Sequence, residues 1–127
     1  MSWNQSKSSF RTGEPPDHVA AKDIIMQKLE KMGYDVHPEY PLVDSLVHTN
    51  YTHGYDLVAF GKLVVVEVDD PDLHSKLKHK INDKIAQDWV ESFFPHATFI
   101  RLNKDAVNDE SREQYLGENF YPLLPKA

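Results

Sequence analysis

The order of elements along this chain predicts an α/β fold, a mixed β-sheet flanked by helices. Three observations carry that expectation. Residues 57–60 and 63–68 are apolar runs separated by Gly61-Lys62, a two-residue hairpin signal of the Gly-X kind. A long amphipathic pattern follows the second run, and a further apolar run, 97–102, follows that pattern. A strand, a crossover helix and another strand make a parallel, right-handed unit. A shorter helix precedes all of them, so antiparallel and parallel pairing meet in one sheet with helices on its faces.

Residues 1–13 are Ser-rich and polar, with no apolar stretch of signal-peptide kind. They read as a flexible tail before a single domain over 14–127, and Trp3 and Phe10 are their large apolar groups. Glu14-Pro15-Pro16-Asp17 is a helix start with Asp17 as the expected N-cap, and the spacing predicts a helix over 18–31. Val19, Ile25, Met26, Leu29 and Met32 form its apolar face, with Lys22, Lys28, Glu30 and Lys31 mostly outside it. Gly33 supplies a left-handed stop. Residues 34–40 alternate loosely and predict a strand, placed at a sheet edge by Pro38. Residues 41–47 continue it or form a second short strand, and 48–54 read as a polar turn. His18 and His37 read as structural.

In the hairpin, Val64, Val65 and Val66 are consecutive, which predicts a central strand covered on both faces. Asp70 before Pro71 is an N-cap with proline at the first helical position, and Asp72 suits the first turn. Leu73, Leu77, Ile81, Ile85 and Trp89 then recur every four residues, widened by Ala86, Val90 and Phe93, up to Pro95. Lys76, Lys80, Asp83, Lys84 and Gln87 form one polar stripe on the other side. After the strand at 97–102, residues 105–116 predict a terminal helix closed by Gly117. The apolar tail 120–125 is expected to pack on the core or on a partner.

The chain has 127 residues, 40% hydrophobic and 27% charged, which suits one soluble domain. A net charge of -6 argues against a protein that mainly coats nucleic acid, but not against a nuclease whose site needs acids. The absence of cysteine excludes disulfides and thiolate zinc sites. No apolar run approaches a membrane span, so a cytoplasmic protein without a membrane partner is expected.

Two carboxylates interrupt the hairpin's apolar pattern: Asp56 at the start of its first strand and Glu67 near the end of its second. A two-residue turn sets these positions side by side. Acids that close raise each other's pKa unless a cation lies between them. Oxygen-rich sites suit Mg²⁺ or Mn²⁺. Asp56 also reads as a solvated strand end or a turn cap. Glu67 has no such alternative, because an unpaired charge inside Val-Val-Val-Glu-Val costs several kcal/mol.

A helix, an Asp early in a hairpin strand, Glu67-Val68-Asp69 ending the next strand, then a helix and a strand together resemble the PD-(D/E)xK nuclease superfamily. Val64-Val65-Val66-Glu67-Val68-Asp69, followed by His74, a helix bearing Lys and Asp, and Arg101-Leu102, is most similar to its very-short-patch-repair-like endonuclease group. The likeness spans 18–107. It implies a restriction-endonuclease-like α/β sandwich and a Mg²⁺- or Mn²⁺-dependent endonuclease that hydrolyses DNA phosphodiester bonds. Asp56 and Glu67 match the metal-ligating acids. Asp69 falls where many members carry a catalytic lysine and where this group carries Asp. His74 matches the group's histidine, Lys80 and Asp83 a polar helix pair, and Arg101 the strand arginine.

Under that resemblance Asp56, Glu67 and Asp69 hold metal, with the Val68 carbonyl as a further ligand. Lys76 or Lys80 replaces the missing lysine, and His74 serves as acid/base or phosphate contact, or else reads as a surface or capping residue. Lys76, Lys80, Lys84 and Arg101 are the candidate DNA contacts. The lysine stripe reads equally as a solvated helix face, and Arg101 equally as the partner of an acid on the last helix. The chain departs from the group in three places, one being that Tyr55 rather than a proline precedes Asp56. Asp70 replaces a glycine, and the first-helix acid falls ambiguously at Asp23 or Lys22. A catalytically inactive nuclease-fold module that binds nucleic acid or protein is therefore the alternative. A homodimer is expected by analogy with nucleases that cut both strands.

Overall fold

The computed structural model describes residues 14–42, 54–71 and 77–125, with backbone alone for 77–83. Four strands, β1 (Asp35–Tyr40), β2 (Tyr55–Phe60), β3 (Val64–Asp69) and β4 (Thr98–Asn103), form one sheet in the order β1-β2-β3-β4. The first two pairings are antiparallel and the third is parallel, which makes the expected mixed sheet. The helices are α1 (Pro16–Lys31), α2 (Leu77–Phe93), α3 (Lys104–Val107) and α4 (Arg112–Asn119), followed by a 3₁₀ turn at Tyr121–Leu123.

α1 begins at Pro16, earlier than the expected start at His18. A proline has the helical φ and no N–H to leave unpaired, so it fits the first turn. Asp17 is therefore not the cap; it lies in the first turn, where the helix dipole favours its charge. The stop is the expected one. Gly33 has φ +97°, its N–H bonds the Glu30 carbonyl at 3.0 Å, and the Tyr34 N–H reaches back to Leu29 at 3.1 Å. This double closure satisfies two of the last carbonyls of the helix.

Gly61, at φ +128°, starts the hairpin turn, and the register Ala59↔Val64 centres that turn on Gly61-Lys62. β3 lies between β2 and β4 and is buried along Val64–Val68, as its valine run requires. β1, which carries Pro38, is an edge strand.

Each face of the sheet has its own core. Ala21, Ile25, Met26 and Leu29 of α1 pack with Leu57, Val64, Val66, Val68, Ile100 and Leu102, and Leu116 and Phe120 close that layer. The expected tail packing is seen in Phe120, Tyr121 and Leu124, which join this core. On the other face Val58, Val65 and Tyr55 meet Ala86 and Val90 of α2.

Two expectations need correction. Among the described side chains of α2, Ala86 and Val90 are buried as expected and Trp89 packs against that core, while Ile85 and Phe93 are 42% and 44% exposed. A strict four-residue repeat drifts around a helix of 3.6 residues per turn, so one stripe cannot stay on one face. Leu73 and the side chains of Leu77 and Ile81 lie outside the described residues. The terminal helix, expected over 105–116, is two short helices. Asn103 caps the first, its side chain accepting from the Asp105 and Ala106 N–H groups. Asp109 then takes the Ser111 N–H at 3.0 Å, a turn that separates the two. Gly117 lies inside the second helix rather than ending it.

Candidate functional site

The site forms where the β2–β3 ladder runs out. Leu57↔Val66 is the last paired position, and the next step along each strand is Asp56 and Glu67. Here the alternation of faces slips. Tyr55 and Leu57, two residues apart, belong to opposite cores. The Tyr55 hydroxyl donates to the Ala86 carbonyl of α2 at 2.7 Å, whereas Leu57 packs under α1. Across β1 the matching irregularity is Glu39, at φ +51° the one non-glycine residue with positive φ among the described residues. Gly54 lies against it, where a Cβ would come within 3.0 Å of the Glu39 carbonyl oxygen. The kink carries Glu39 toward α1, where its carboxylate reaches Lys22 at 2.7 Å.

α1 supplies the partners. His18, Lys22, Ile25 and Leu29 follow each other at four-, three- and four-residue steps and are all buried. The first two therefore enter the interior above the acids. His18 Nε2 donates to the Val68 carbonyl at 2.6 Å, and its Nδ1 meets the Glu14 carboxylate. Lys22 Nζ lies 3.1 Å from Glu14 Oε2 and 3.8 Å from Asp56 Oδ1. Asp56 Oδ2 accepts the Val68 N–H at 2.8 Å and lies 3.8 Å from His18 Nε2.

Asp56 and Glu67 are 6% and 8% exposed and touch each other. The Asp56 N–H donates to Glu67 Oε2 at 3.3 Å. Burial pushes the Asp56 carboxyl well above the usual range, and the Glu67 charge adds to it; Lys22 and His18 pull the other way. Burial likewise raises Glu67 to about 7, against the hydrogen bonds from Asp56 and the charge of Arg101. The pair thus retains a proton near neutrality that separate solvated carboxylates would lose.

On the α2 side of the sheet Arg101 stands opposite Glu67 in the β3–β4 register. It donates to Asp69 Oδ1 at 3.2 Å and to Gln87 Oε1 at 3.1 Å, and lies over the Phe99 ring. Its acid is on β3, not on the last helix. At the same end Lys104 pairs with Asp17 at 2.7 Å and Asp70 at 3.3 Å, tying α1, the end of β3 and α3 together.

Of the residues singled out in the sequence, Asp56, Glu67, Asp69 and Arg101 come together. Lys84 does not join them; it is exposed on α2 and pairs with Asp88 at 3.3 Å. His74, Lys76 and the side chains of Lys80 and Asp83 lie outside the described residues. The lysine beside Asp56 is Lys22, and the acid that reaches it from this end of α1 is Glu14, just before the helix; Asp23 instead accepts from Gln27. Glu14, His18, Lys22 and Glu39 were missed. For His18 and Lys22 the signal was their helical spacing from Ile25 and Leu29. His37 is structural as read, bonded to Asp35 and packed against Tyr40 and Phe60.

Among the described residues no three His, Asp or Glu side chains form a ready-made metal cage. The donors nearest to one are the Asp56 and Glu67 carboxylates and the Val68 carbonyl, with His18 Nε2 hydrogen-bonded to that carbonyl. That oxygen-rich set fits Mg²⁺ or Mn²⁺ once the pair gives up its proton. Two hollows of about 470 and 380 Å³ flank Lys62 and Pro125 at the opposite, hairpin-tip end, and no acid lines them. No described helix is long and apolar enough to cross a membrane. Comparison of the chain with protein-family models, curated proteins and solved structures gives no match.

Proposed function

We propose that this chain is a metal-dependent endonuclease of restriction-endonuclease-like fold, hydrolysing DNA phosphodiester bonds. One observation carries the reading. Asp56 and Glu67, buried at the end of a central hairpin, are in contact, the Asp56 N–H donating to Glu67 Oε2 at 3.3 Å. Two buried acids in contact cost the folded core free energy, whereas a cation between them offsets that cost. Asp56, Glu67 and the Val68 carbonyl would hold Mg²⁺ or Mn²⁺, with His18 beside them. The ion would supply a water of lowered pKa and polarise a phosphoryl oxygen. Arg101, drawn in by Asp69 and Gln87, offers a guanidinium to the phosphate from the adjoining strand. Gln87 belongs to the same polar stripe as Lys80 and Lys84, so the DNA strand would run along α2.

The test is nicking of supercoiled DNA with Mg²⁺ or Mn²⁺. Asp56→Asn and Glu67→Gln should each lower the rate about 10²-fold or more while the fold is retained. No cleavage of any DNA form by the parent protein would remove the proposal. A second reading, an inactive binding module, draws on the Lys22 ammonium already seated beside Asp56. It predicts no Mg²⁺ or Mn²⁺ uptake by calorimetry, together with DNA or protein binding that Asp56→Asn leaves intact.

A further inference from the structure

Lys22 is the most deeply buried cation of the described chain that does not belong to the acid pair itself. Its side chain is fully inaccessible, and so is that of Glu14. Three acids from three separate elements converge on its Nζ: Glu14 before α1, Glu39 of β1 and Asp56 of β2. The distances are 3.1 Å to Glu14 Oε2, 2.7 Å to Glu39 Oε2 and 3.8 Å to Asp56 Oδ1. A desolvated ammonium persists only where such oxygens replace its water. The backbone is bent to provide them, since Glu39 adopts its positive φ where it reaches Lys22.

This is the ligand chemistry of a hard divalent ion: several carboxylate oxygens, desolvated, around one positive centre. Asp56 belongs to both halves of the site. Its Oδ1 faces Lys22, and its Oδ2 lies on the Val68 and His18 side, next to Glu67. Hydrolases with two metal ions share ligands between neighbouring ions in a similar way. We propose that Lys22 is a built-in replacement for a second divalent ion, so that the chain takes one metal where a two-metal hydrolase takes two. The inference rests on the metal reading above for its first ion and adds the stoichiometry. A lysine fixes that charge without depending on metal supply, and its three N–H donors point the surrounding acids into place.

The experiment counts Mn²⁺ ions bound to the full chain by calorimetry and by electron paramagnetic resonance. The parent protein should take one equivalent. Lys22→Ser, which empties the cage, should take two, and Lys22→Arg should stay at one. Glu39→Gln combined with Lys22→Ser should lose the added equivalent. Two equivalents in the parent, or no gain in Lys22→Ser, would overturn the proposal. If Lys22→Ser does not fold without metal, recovery of cooperative unfolding on adding Mn²⁺ supports it, and failure to recover overturns it. No Mn²⁺ in the parent but one equivalent in Lys22→Ser would end the endonuclease reading and overturn the one-metal count, leaving Lys22 only as the occupant of a single cation site. No Mn²⁺ in either protein would end both.

Discussion

Replacing Glu67 by Gln should make the metal-free protein more stable at neutral pH, although it removes a proposed ligand. In the folded chain Glu67 titrates near 7, against 4.5 for an ordinary glutamate. Below about pH 4.5 both folded and unfolded states carry the proton, and the residue contributes nothing to the pH dependence. Between 4.5 and about 7 the folded state holds a proton that the unfolded state has released, so stability falls as pH rises. Above that range the full cost is present. At about 1.4 kcal/mol per pH unit, the gap amounts to about 3 kcal/mol. Asp56 is shifted in the same direction and steepens the fall. Glutamine never ionises, keeps an oxygen for the Asp56 N–H, and should flatten this part of the profile. Urea unfolding from pH 4 to 8 in chelator measures it. Equal slopes for the two proteins, or a parent that gains stability toward pH 7, would refute the reasoning. Saturating Mn²⁺ should reverse the order, stabilising the parent at pH 7 and leaving Glu67→Gln little changed.

Other perturbations test the frame around the site. Tyr55→Phe leaves the Ala86 carbonyl without its buried donor and should cost about 1–2 kcal/mol in urea unfolding, with the fold unchanged by circular dichroism. Gly54→Ala presses a methyl against the Glu39 carbonyl at 3.0 Å. It should cost about 1–3 kcal/mol and weaken metal uptake in calorimetry, because the strand that aims Glu39 must shift. Leu29→Ala empties the core under α1 and should cost about 3 kcal/mol, read as a lower urea midpoint at constant slope.

The sheet was legible because its signals are local. A glycine in a two-residue turn, three consecutive valines, a proline in a short strand and a glycine after a helix each act on their own neighbourhood. The parallel β3–β4 pair followed from a crossover helix of sufficient length. Within the site, Asp56 beside Glu67 followed from turn length alone. The rest depended on contacts between distant parts of the chain. Lys22 was sorted by polarity, which set it outside the apolar face, and His18 was read as structural, while the spacing of both from Ile25 and Leu29 puts them in the buried site. Glu39 was unreadable, because nothing in Pro38-Glu39-Tyr40 announces a left-handed glutamate; the close approach of Gly54 and the pull of Lys22 arise only in the folded sheet. The partner of Arg101 required the β3–β4 register, which places Asp69 and Glu67 beside it. On α2 the expected face held at Ala86, Trp89 and Val90 and failed at Ile85 and Phe93, because a strict four-residue repeat rotates around the helix.

The outer strand β1 has a consequence for the behaviour of the protein in solution. A bare strand margin invites a neighbouring molecule to extend the sheet, the first step toward fibrils. Pro38 removes one N–H from that margin, and the turned backbone at Glu39 breaks its straight line one residue later. A stranger's strand laid along β1 would lose its hydrogen-bonding rhythm at these two positions. Among the described residues, the irregularity that directs a glutamate inward thereby also interrupts the regular edge that a second molecule would need on that side.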